Sequence, residues 1–160
     1  KAVKGEHLLN LLKDGTRFAL VSVAGTPGIS DPGFSLIRAA LDAGIKVVSI
    51  PGPAALIAAL SISGFPTNKF VFEGFLPVKS GARKKRINEL KGLKQTVVFY
   101  ESPHRILKTL EDMLECLGNR QIAIGREVTK KFEEVLRGDI RALIAKFKAS
   151  RPRGEFVVIF

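Results

Sequence analysis

Residues 21–34 read VSVAGTPGISDPGF and continue the apolar run that begins at Phe18. An apolar run that ends in glycine and proline predicts a buried strand followed by a turn. Three glycines and two prolines in this stretch are more than a simple turn requires. Glycine adopts positive φ and lets main-chain groups approach a ligand without a Cβ in the way. We therefore interpret the stretch as a ligand-binding bend, with a tight strand-to-helix connection as the alternative.

A second bend, Pro51-Gly52-Pro53, follows the apolar run 46–50. Both bends lead into helical patterns, and Asp31 and Pro32 fit the N-cap and first position of the first of these helices. The second helix, expected at 54–60, consists largely of small residues and is expected to pack very close to its neighbours. The order strand, helix, strand, helix predicts a parallel α/β sheet built on strands 16–23 and 46–50. Because successive loops of such a sheet share the rim where ligands bind, the two bends together predict a pocket.

Composition narrows the class of protein. A chain of 160 residues with 46% hydrophobic content is expected to bury a packed core. Its single cysteine, Cys116, excludes an internal disulfide and any multi-cysteine metal site, so we expect no metal. No apolar run approaches the ~20 residues of a membrane helix, and the chain does not open on a signal-peptide pattern. We expect a soluble, cytoplasmic protein without membrane contact.

The net charge of +11 is unevenly distributed. Residues 1–68 carry six Lys/Arg and four Asp/Glu, whereas residues 69–160 carry twenty and eleven, so +9 of the excess lies in the second part. Near residue 68 the strand and helix alternation also weakens. We therefore predict two domains, 1–68 and 69–160, the second a mixed α/β domain whose strand order the sequence does not give. Its expected strands are 69–78 (a strand with a loop), 96–100, 121–126, 131–136 and 155–160, and its expected helices are 80–94, 103–117 and 140–148. Its charge favours a polyanionic partner, most simply nucleic acid.

A basic segment at 79–94 has seven positive charges, and only Glu89 opposes them within the segment. Such a run is usually a solvated helix face, but solvated faces normally mix both signs. We favour phosphate contact through Arg83, Lys84, Lys85 and Arg86, which would position RNA without reading its bases.

Seven motifs, in order along almost the whole chain, carry a resemblance. They are AGTPGISDPG (24–33), IPGP (50–53), FEGFLP (72–77), FYESPHR (99–105), REVTK (126–130), RGD (137–139) and GE (154–155). In this order they resemble the ribosomal RNA small-subunit methyltransferase I family. That family is the 16S rRNA cytidine 2′-O-methyltransferase branch of the tetrapyrrole methylase superfamily.

The resemblance implies a two-domain α/β enzyme that binds S-adenosylmethionine between its domains, acts on 16S rRNA of the small ribosomal subunit and forms a homodimer. It also implies that the first domain is incomplete at its N-terminus, because family members begin with a further strand and glycine-containing loop. One position departs from the family pattern. Val23 stands where the family usually has aspartate, and valine can neither order the bend nor bond a ligand through its side chain.

The resemblance also assigns site residues. The expected cofactor contacts are Thr26, Pro27, Gly28, Ile29, Ala54, Ala55, Tyr100, Gly154 and Glu155. The candidates for a base that assists the ribose hydroxyl are Glu101, Glu127 and Lys130. We add Arg105 to the expected RNA contacts. A structural Glu101–Arg105 ion pair and a phosphate-binding Lys130 are the alternatives for these residues.

Two other functions stay open from the sequence. The acceptor could be a tetrapyrrole precursor, although the basic second part and the FYESPHR motif argue against it. The chain could instead be a non-catalytic RNA-binding protein, which the loss of aspartate at Val23 favours.

Overall fold

A five-stranded sheet organises residues 54–160 of the computed structural model. The strands are β1 (Phe70–Phe75), β2 (Thr96–Glu101), β3 (Gln121–Arg126), β4 (Glu134–Asp139) and β5 (Phe156–Ile159). Their order across the sheet is β1-β2-β5-β3-β4, with β1 and β2 parallel and all other neighbours antiparallel. The last strand in sequence, β5, therefore lies in the centre and separates β2 from β3.

Alternation along the strands builds two cores. On β2, Val97 and Phe99 face one side and Val98 and Tyr100 face the other, as the period of two requires. The first side is covered by helices α4 (Ser80–Lys91), α5 (Ile106–Leu117) and α6 (Ile140–Ala149). The second side packs against the short helix α3 (Ala55–Ser61).

Helix α3 lies close to the sheet because the facing residues are small. A Cβ at Gly125 on β3 would lie 3.1 Å from the Cβ of Ala59 and 2.6 Å from Cγ2 of Val128. Ala59 is completely buried there. The close packing predicted for a helix of small residues is thus confirmed within residues 54–160.

One edge of the sheet gathers the candidate residues. The carboxyl ends of β1, β2 and β3 meet the amino ends of β4 and β5 at this edge. We call it the site edge. The motifs FYESPHR, REVTK and GE all reach it, because they end β2, end β3 and begin β5.

The structure describes residues 2–160, with side chains from residue 5 onward. By its internal contacts the chain divides into two units, which adjoin at Pro53 and Ala54. The first contains helices α1 (Ala2–Lys13) and α2 (Phe34–Asp42). The expected domain boundary at residue 68 stays a prediction; in the structure, α3 belongs to the unit that contains the sheet.

The two strands predicted in the first unit are not formed among the described residues. Segments 16–23 and 46–50 carry no strand assignment, and Val21, Val23, Val48 and Ile50 are exposed. A strand needs a hydrogen-bonded neighbour, and neither segment has one in the part of the chain that the structure describes. The prediction of these two strands was wrong for this structure.

In the second unit the predicted elements are formed. The exception in position is β4, expected at 131–136 and found at Glu134–Asp139. A turn with positive φ at Glu127 and Thr129 occupies the residues between β3 and β4 and delays the strand. No helix that the structure describes is long and apolar enough to cross a membrane.

Candidate functional site

The glycine-rich bend of the first unit has the backbone that its sequence predicts. Gly25 and Gly28 have φ of 80° and 82°, and Ser30 also adopts a positive φ of 53°. Gly33 has φ of 132°, and a Cβ there would lie 2.6 Å from Cδ2 of Leu20. Most L side chains would strain this path, so the glycines are required by the bend itself.

A hydrogen bond joins the two bends. The hydroxyl of Thr26 donates to the carbonyl of Pro53 across 3.2 Å. The N–H of Ile29 donates to the carbonyl of Thr26, which closes the tip of the first bend. The expectation that the bends at 24–33 and 51–53 lie side by side is confirmed within the first unit.

The start of α2 differs from the prediction. The helix begins at Phe34 with Gly33 as its N-cap and no side-chain cap hydrogen bond. Asp31 and Pro32 therefore lie in the bend, one turn before the helix, and do not cap it. The positive φ of Gly33 is the reason, because the chain is still turning at that residue.

A charged cluster of three residues occupies the site edge in the second unit. Lys130 donates to Glu127 at 3.1 Å and to Glu155 at 2.8 Å. The N–H of Glu127 also donates to the carbonyl of Glu155 at 2.9 Å. The N–H of Glu155 in turn donates to the Glu127 carboxylate at 2.8 Å. Three predicted site residues thus meet in one network, which we call the Lys130 cluster.

The Lys130 cluster has defined protonation states at neutral pH. The N–H of Glu155 and the ammonium of Lys130 lower the pKa of Glu127 below its ordinary value. Hydrogen bonding to Glu155 and Glu127 raises the pKa of Lys130. Both groups are therefore charged, and Lys130 holds no free electron pair with which to accept a proton.

Backbone strain accompanies this cluster. Glu127 and Thr129 have φ of 47° and 70°, and Gly154 has φ of 84°. A Cβ on Gly154 would lie 2.5 Å from Cγ of Glu127. Glycine at 154 thus lets the Glu127 side chain lie directly on the turn before β5, and such strained positions concentrate at functional sites.

Tyr100 lies at the same edge on the α3 side of the sheet. Its hydroxyl accepts a hydrogen bond from the N–H of Leu56 at 3.3 Å. Ala54 is the N-cap of α3 and Ala55 is its first residue, so the phenol is held at the start of the helix that carries both predicted cofactor contacts. Burial raises the pKa of Tyr100, which stays a neutral phenol at physiological pH.

Glu101 lies on the opposite face from Tyr100, next in sequence. Its carboxylate is 1% exposed and accepts hydrogen bonds from the Thr109 hydroxyl at 2.7 Å and the Ser102 N–H at 2.8 Å. Arg105 Nε lies 3.2 Å from the same carboxylate. The structural ion pair is the arrangement present, and Glu101 reaches no solvent from which a substrate could approach.

The basic helix α4 is more fully neutralised than its sequence indicates. Arg83 is 4% exposed and pairs with Asp112 at 2.6 Å. Lys84 pairs with Glu115, and Arg86 pairs with Glu73 and Glu89. Of the four predicted phosphate contacts, only Lys85 forms no ion pair among the described residues.

The sequence reasoning missed Asp112, which fixes the buried Arg83. No sequence signal marked it, because at about 3.6 residues per turn Asp112 lies well away from the apolar stripe of Ile106, Leu110 and Met113, although the structure buries it. An acidic residue on a buried helix face needs a cationic partner.

Comparison with known proteins places the chain in a family. Residues 4–144 match the family model of the Tetrapyrrole (Corrin/Porphyrin) Methylases. The chain belongs to the tetrapyrrole methylase family. This match confirms the superfamily part of the resemblance that the seven motifs indicate.

Curated relatives that are 45–51% identical carry the name of the family that the seven motifs resemble, which confirms the resemblance. The ribosomal RNA small subunit methyltransferase I of Mesorhizobium japonicum is 50% identical over 156 residues, a match that covers 96% of this chain and 53% of the relative. The protein of the same name from Thermotoga maritima is 45% identical over 154 residues, covering 96% of this chain and 69% of the relative. The chain thus spans about half the length of the first relative and about two thirds of the second.

Solved structures show the same fold at low identity. The methyltransferase CobJ superposes with a TM-score of 0.70 at 23% identity, covering 97% of this chain and 69% of that one. Uroporphyrin-III C-methyl transferase from Thermus thermophilus, complexed with S-adenyl homocysteine, gives a TM-score of 0.60 at 16% identity, covering 96% and 72%.

Proposed function

We propose that the protein uses S-adenosylmethionine to methylate ribosomal RNA of the small subunit, at the 2′-hydroxyl of a cytidine. The names of relatives that are 45–50% identical support the substrate class. The net charge of +11 supports a polyanionic substrate. The observation that carries the cofactor part is the hydrogen bond between Thr26 and Pro53, which joins the two predicted binding bends.

The bends fit S-adenosylmethionine chemically. Residues 24–30 and 51–53 contain no charged side chain, and three positive-φ residues turn the main chain of the first bend. A ligand with a cationic sulfur and a flat adenine is well served by carbonyl oxygens and small apolar surfaces. When bound, this cofactor supplies an activated methyl group. Val23, which is fully exposed, adds nothing to this surface.

In this proposal none of the three candidate residues at the site edge acts as a catalytic base. Lys130 is protonated and Glu101 is sealed in the core, so neither accepts the proton of the ribose hydroxyl. Glu127 is ionised, but its carboxylate is held by two hydrogen bonds. We infer that alignment of the hydroxyl with the methyl group carries most of the rate. The cofactor contacts expected at Tyr100, Gly154 and Glu155, and the homodimer, stay predictions.

Cofactor binding is tested by titration calorimetry with S-adenosylmethionine. Thr26→Val removes the hydroxyl that joins the bends and keeps the side-chain shape. One hydrogen bond of this kind contributes about 0.5–1.5 kcal/mol, so we expect its loss to weaken binding about twofold to twelvefold. Ser61→Ala is the control, since Ser61 also bonds a main-chain carbonyl, at 2.9 Å, but on α3. Equal effects of both variants would remove the bends from the cofactor site.

The acceptor is tested with methyl-labelled cofactor. We expect transfer to small ribosomal subunits or to their RNA, and recovery of the label as 2′-O-methylcytidine after digestion to nucleosides. Such a substrate would place the activity in the cytoplasm. Transfer to a tetrapyrrole precursor, to a base or to no acceptor at all would each contradict the proposal. RNA binding without any cofactor binding would favour the non-catalytic protein.

A further inference from the structure

Strand β1 ends in an exposed phenylalanine that a bulge turns toward the site edge. The register of β1 against β2 advances from Phe72 opposite Val98 to Phe75 opposite Tyr100, so β1 contains one extra residue. Gly74, with φ of 70°, accommodates this bulge. Without it, residue 74 would stand opposite Tyr100. Bulges commonly re-aim a side chain beside a functional site, and here the residue brought beside Tyr100 is Phe75.

The ring of Phe75 is fixed although it is exposed. Its side chain is 52% exposed, and its ring lies edge-to-face against that of Tyr100 with centroids 5.8 Å apart. Phe72 packs on the same tyrosine ring at 5.0 Å. The hydroxyl of Tyr100 is itself bonded to the start of α3. An aromatic surface is thus presented to solvent in a defined orientation.

Three arginines hold the segment that carries this ring. Arg105 donates to two carbonyls of residues 76–77 at 2.7 and 3.3 Å. Arg83 donates to two carbonyls of residues 77–78 at 3.3 and 2.9 Å. Arg86 bonds the carboxylate of Glu73 twice, at 2.6 and 2.7 Å. Three of the five predicted RNA contacts therefore anchor this segment by main-chain or side-chain hydrogen bonds.

Each of these arginines also pairs with an acidic side chain outside the segment, Arg86 with Glu89 at 2.8 Å. Arg83 pairs with Asp112, and Arg105 pairs with the sealed carboxylate of Glu101. The segment is therefore tied to α4, to the N-cap and middle of α5 and to the end of β2. What this anchoring fixes at the surface is apolar, since Val78 is 75% exposed in addition to Phe75.

The charge beside the ring indicates the chemistry of its partner. Lys79 follows Val78, is exposed and forms no ion pair among residues 5–160. The unit to which it belongs carries twenty Lys/Arg and eleven Asp/Glu, a net +9. A fixed aromatic face next to an unpaired cation suits a planar group attached to an anion. Single-stranded nucleic acid offers both, because its bases stack on aromatic side chains while its phosphates meet lysine.

We propose that Phe75 is a stacking surface for an unpaired base of the RNA substrate, with Lys79 available to a phosphate of the same strand. This inference rests on the proposed function, which supplies RNA as the substrate. Stacking needs a ring whose position is set before the base arrives. The anchoring arginines would set the position of the Phe75 ring in this way. A base on Phe75 lies beside Tyr100, at the site edge.

The test compares substitutions at 75 in binding to single-stranded oligoribonucleotides, measured by fluorescence anisotropy. Phe75→Ala is expected to weaken binding about tenfold, because stacking of one base on an aromatic ring is worth about 1–3 kcal/mol. Phe75→Tyr is expected to retain binding. Phe132→Ala is the matched control, since Phe132 is 64% exposed in the turn before β4 and is expected to leave binding unchanged.

The salt dependence of binding separates stacking from charge. Phe75→Ala is expected to leave the slope of log Kd against log salt concentration unchanged. Lys79→Ala is expected to reduce that slope by the amount that corresponds to the loss of about one phosphate contact. An oligonucleotide with an abasic residue at the stacked position is expected to bind wild type about as weakly as Phe75→Ala binds the intact strand. Phe75→Ala is expected to bind the abasic oligonucleotide no more weakly than it binds the intact strand, because both changes remove the same contact.

Phe75→Trp gives a direct signal, since these 160 residues contain no tryptophan. Its fluorescence is expected to be quenched by an oligonucleotide with bases and not by a fully abasic strand. The same signal decides the question if Phe75→Ala fails to fold. The inference would be overturned if the tryptophan were not quenched, or if the losses caused by the abasic residue and by Phe75→Ala added together. It would also be overturned if Phe75→Ala changed the oligomeric state without loss of RNA affinity, which would assign the ring to contact with a second copy. Wild type that binds no RNA would instead contradict the proposed function itself.

Discussion

Substitution of Gly154 by alanine tests the geometry of the Lys130 cluster. Gly154 has φ of 84°, and an added Cβ would lie 2.5 Å from Cγ, 2.8 Å from Cδ and 2.8 Å from Oε1 of Glu127. A flexible glutamate can move away from the new methyl group. When it does, the carboxylate leaves the N–H of Glu155 and the ammonium of Lys130, which are its two partners.

The expected cost has two parts. An L side chain in the left-handed region costs about 1–2 kcal/mol. The hydrogen bond from the Glu155 N–H to the charged carboxylate contributes about 1.5 kcal/mol or more, and the ion pair with Lys130, which is partly exposed, contributes less than about 1 kcal/mol. We therefore expect Gly154→Ala to lower the free energy of unfolding by about 3 kcal/mol.

Urea denaturation followed by circular dichroism measures this loss, and Gly64→Ala is the matched control. Gly64 has nearly the same φ, 85°, but nothing lies within 4 Å of an added Cβ. The control is expected to lose only the backbone part, about 1–2 kcal/mol. In a Glu127→Ala background, Gly154→Ala is expected to cost no more than the control does. If Gly154→Ala and Gly64→Ala are equally destabilising in the wild-type background, the Glu127 contact contributes nothing and the argument fails.

Three further outcomes follow from the second unit. Asp112→Asn leaves the buried guanidinium of Arg83 without its counter-charge and is expected to cost about 3 kcal/mol or more in urea denaturation, whereas Glu115→Gln, at a surface pair, is expected to cost less than about 1 kcal/mol. Glu127→Gln removes a carboxylate whose pKa is lowered by folding. The stabilising contribution of this carboxylate is present above its ordinary pKa of 4.5 and is lost as the pH falls through the lower folded pKa. The melting temperatures of wild type and variant are therefore expected to differ near neutral pH and to converge in acid. A melting difference that grows on acidification would contradict this sign. Gly125→Ala is expected to cost about 1–3 kcal/mol, because the new methyl group would overlap a neighbouring valine and press on α3; an unchanged urea midpoint would show that α3 does not pack as closely as described.

The local elements of the second unit could be predicted from the sequence because each has its own signal. The alternation and turn residues around β3 predicted Gln121–Arg126, and the structure has the same bounds. The strand order could not be predicted. It depends on which distant segments pair, and hydrophobic periodicity carries no information on partners.

The charges of α4 show a second limit of sequence reasoning. Within residues 79–94 only Glu89 opposes the basic side chains. Folding brings in Glu73 from β1 and Asp112 and Glu115 from α5, which lie 13 to 31 residues from their basic partners in the linear sequence. A count of charges in a window therefore overestimates the cations that are free to meet a phosphate.

The first unit contains one correct prediction, the turning bend, beside a wrong one, the two strands. The glycines of VSVAGTPGISDPGF predicted a turning main chain, and the positive φ values confirm it, because that preference is intrinsic to the residue. The strands expected on either side depend on neighbours outside the segment. Among the described residues no ladder forms on 16–23 or 46–50, so the pattern alone was not sufficient.

The central place of β5 has a consequence for biosynthesis. Residues 156–159 are the last of the five strands to leave the ribosome, yet within residues 2–160 they supply the strand pairing that links the pair β1-β2 to the hairpin β3-β4. Until they emerge, β2 and β3 each present an unsatisfied row of main-chain groups, the kind of nascent surface that associates with other chains. A chain that stops before residue 156 would therefore leave β1-β2 and β3-β4 as two separate half-sheets that are prone to aggregate.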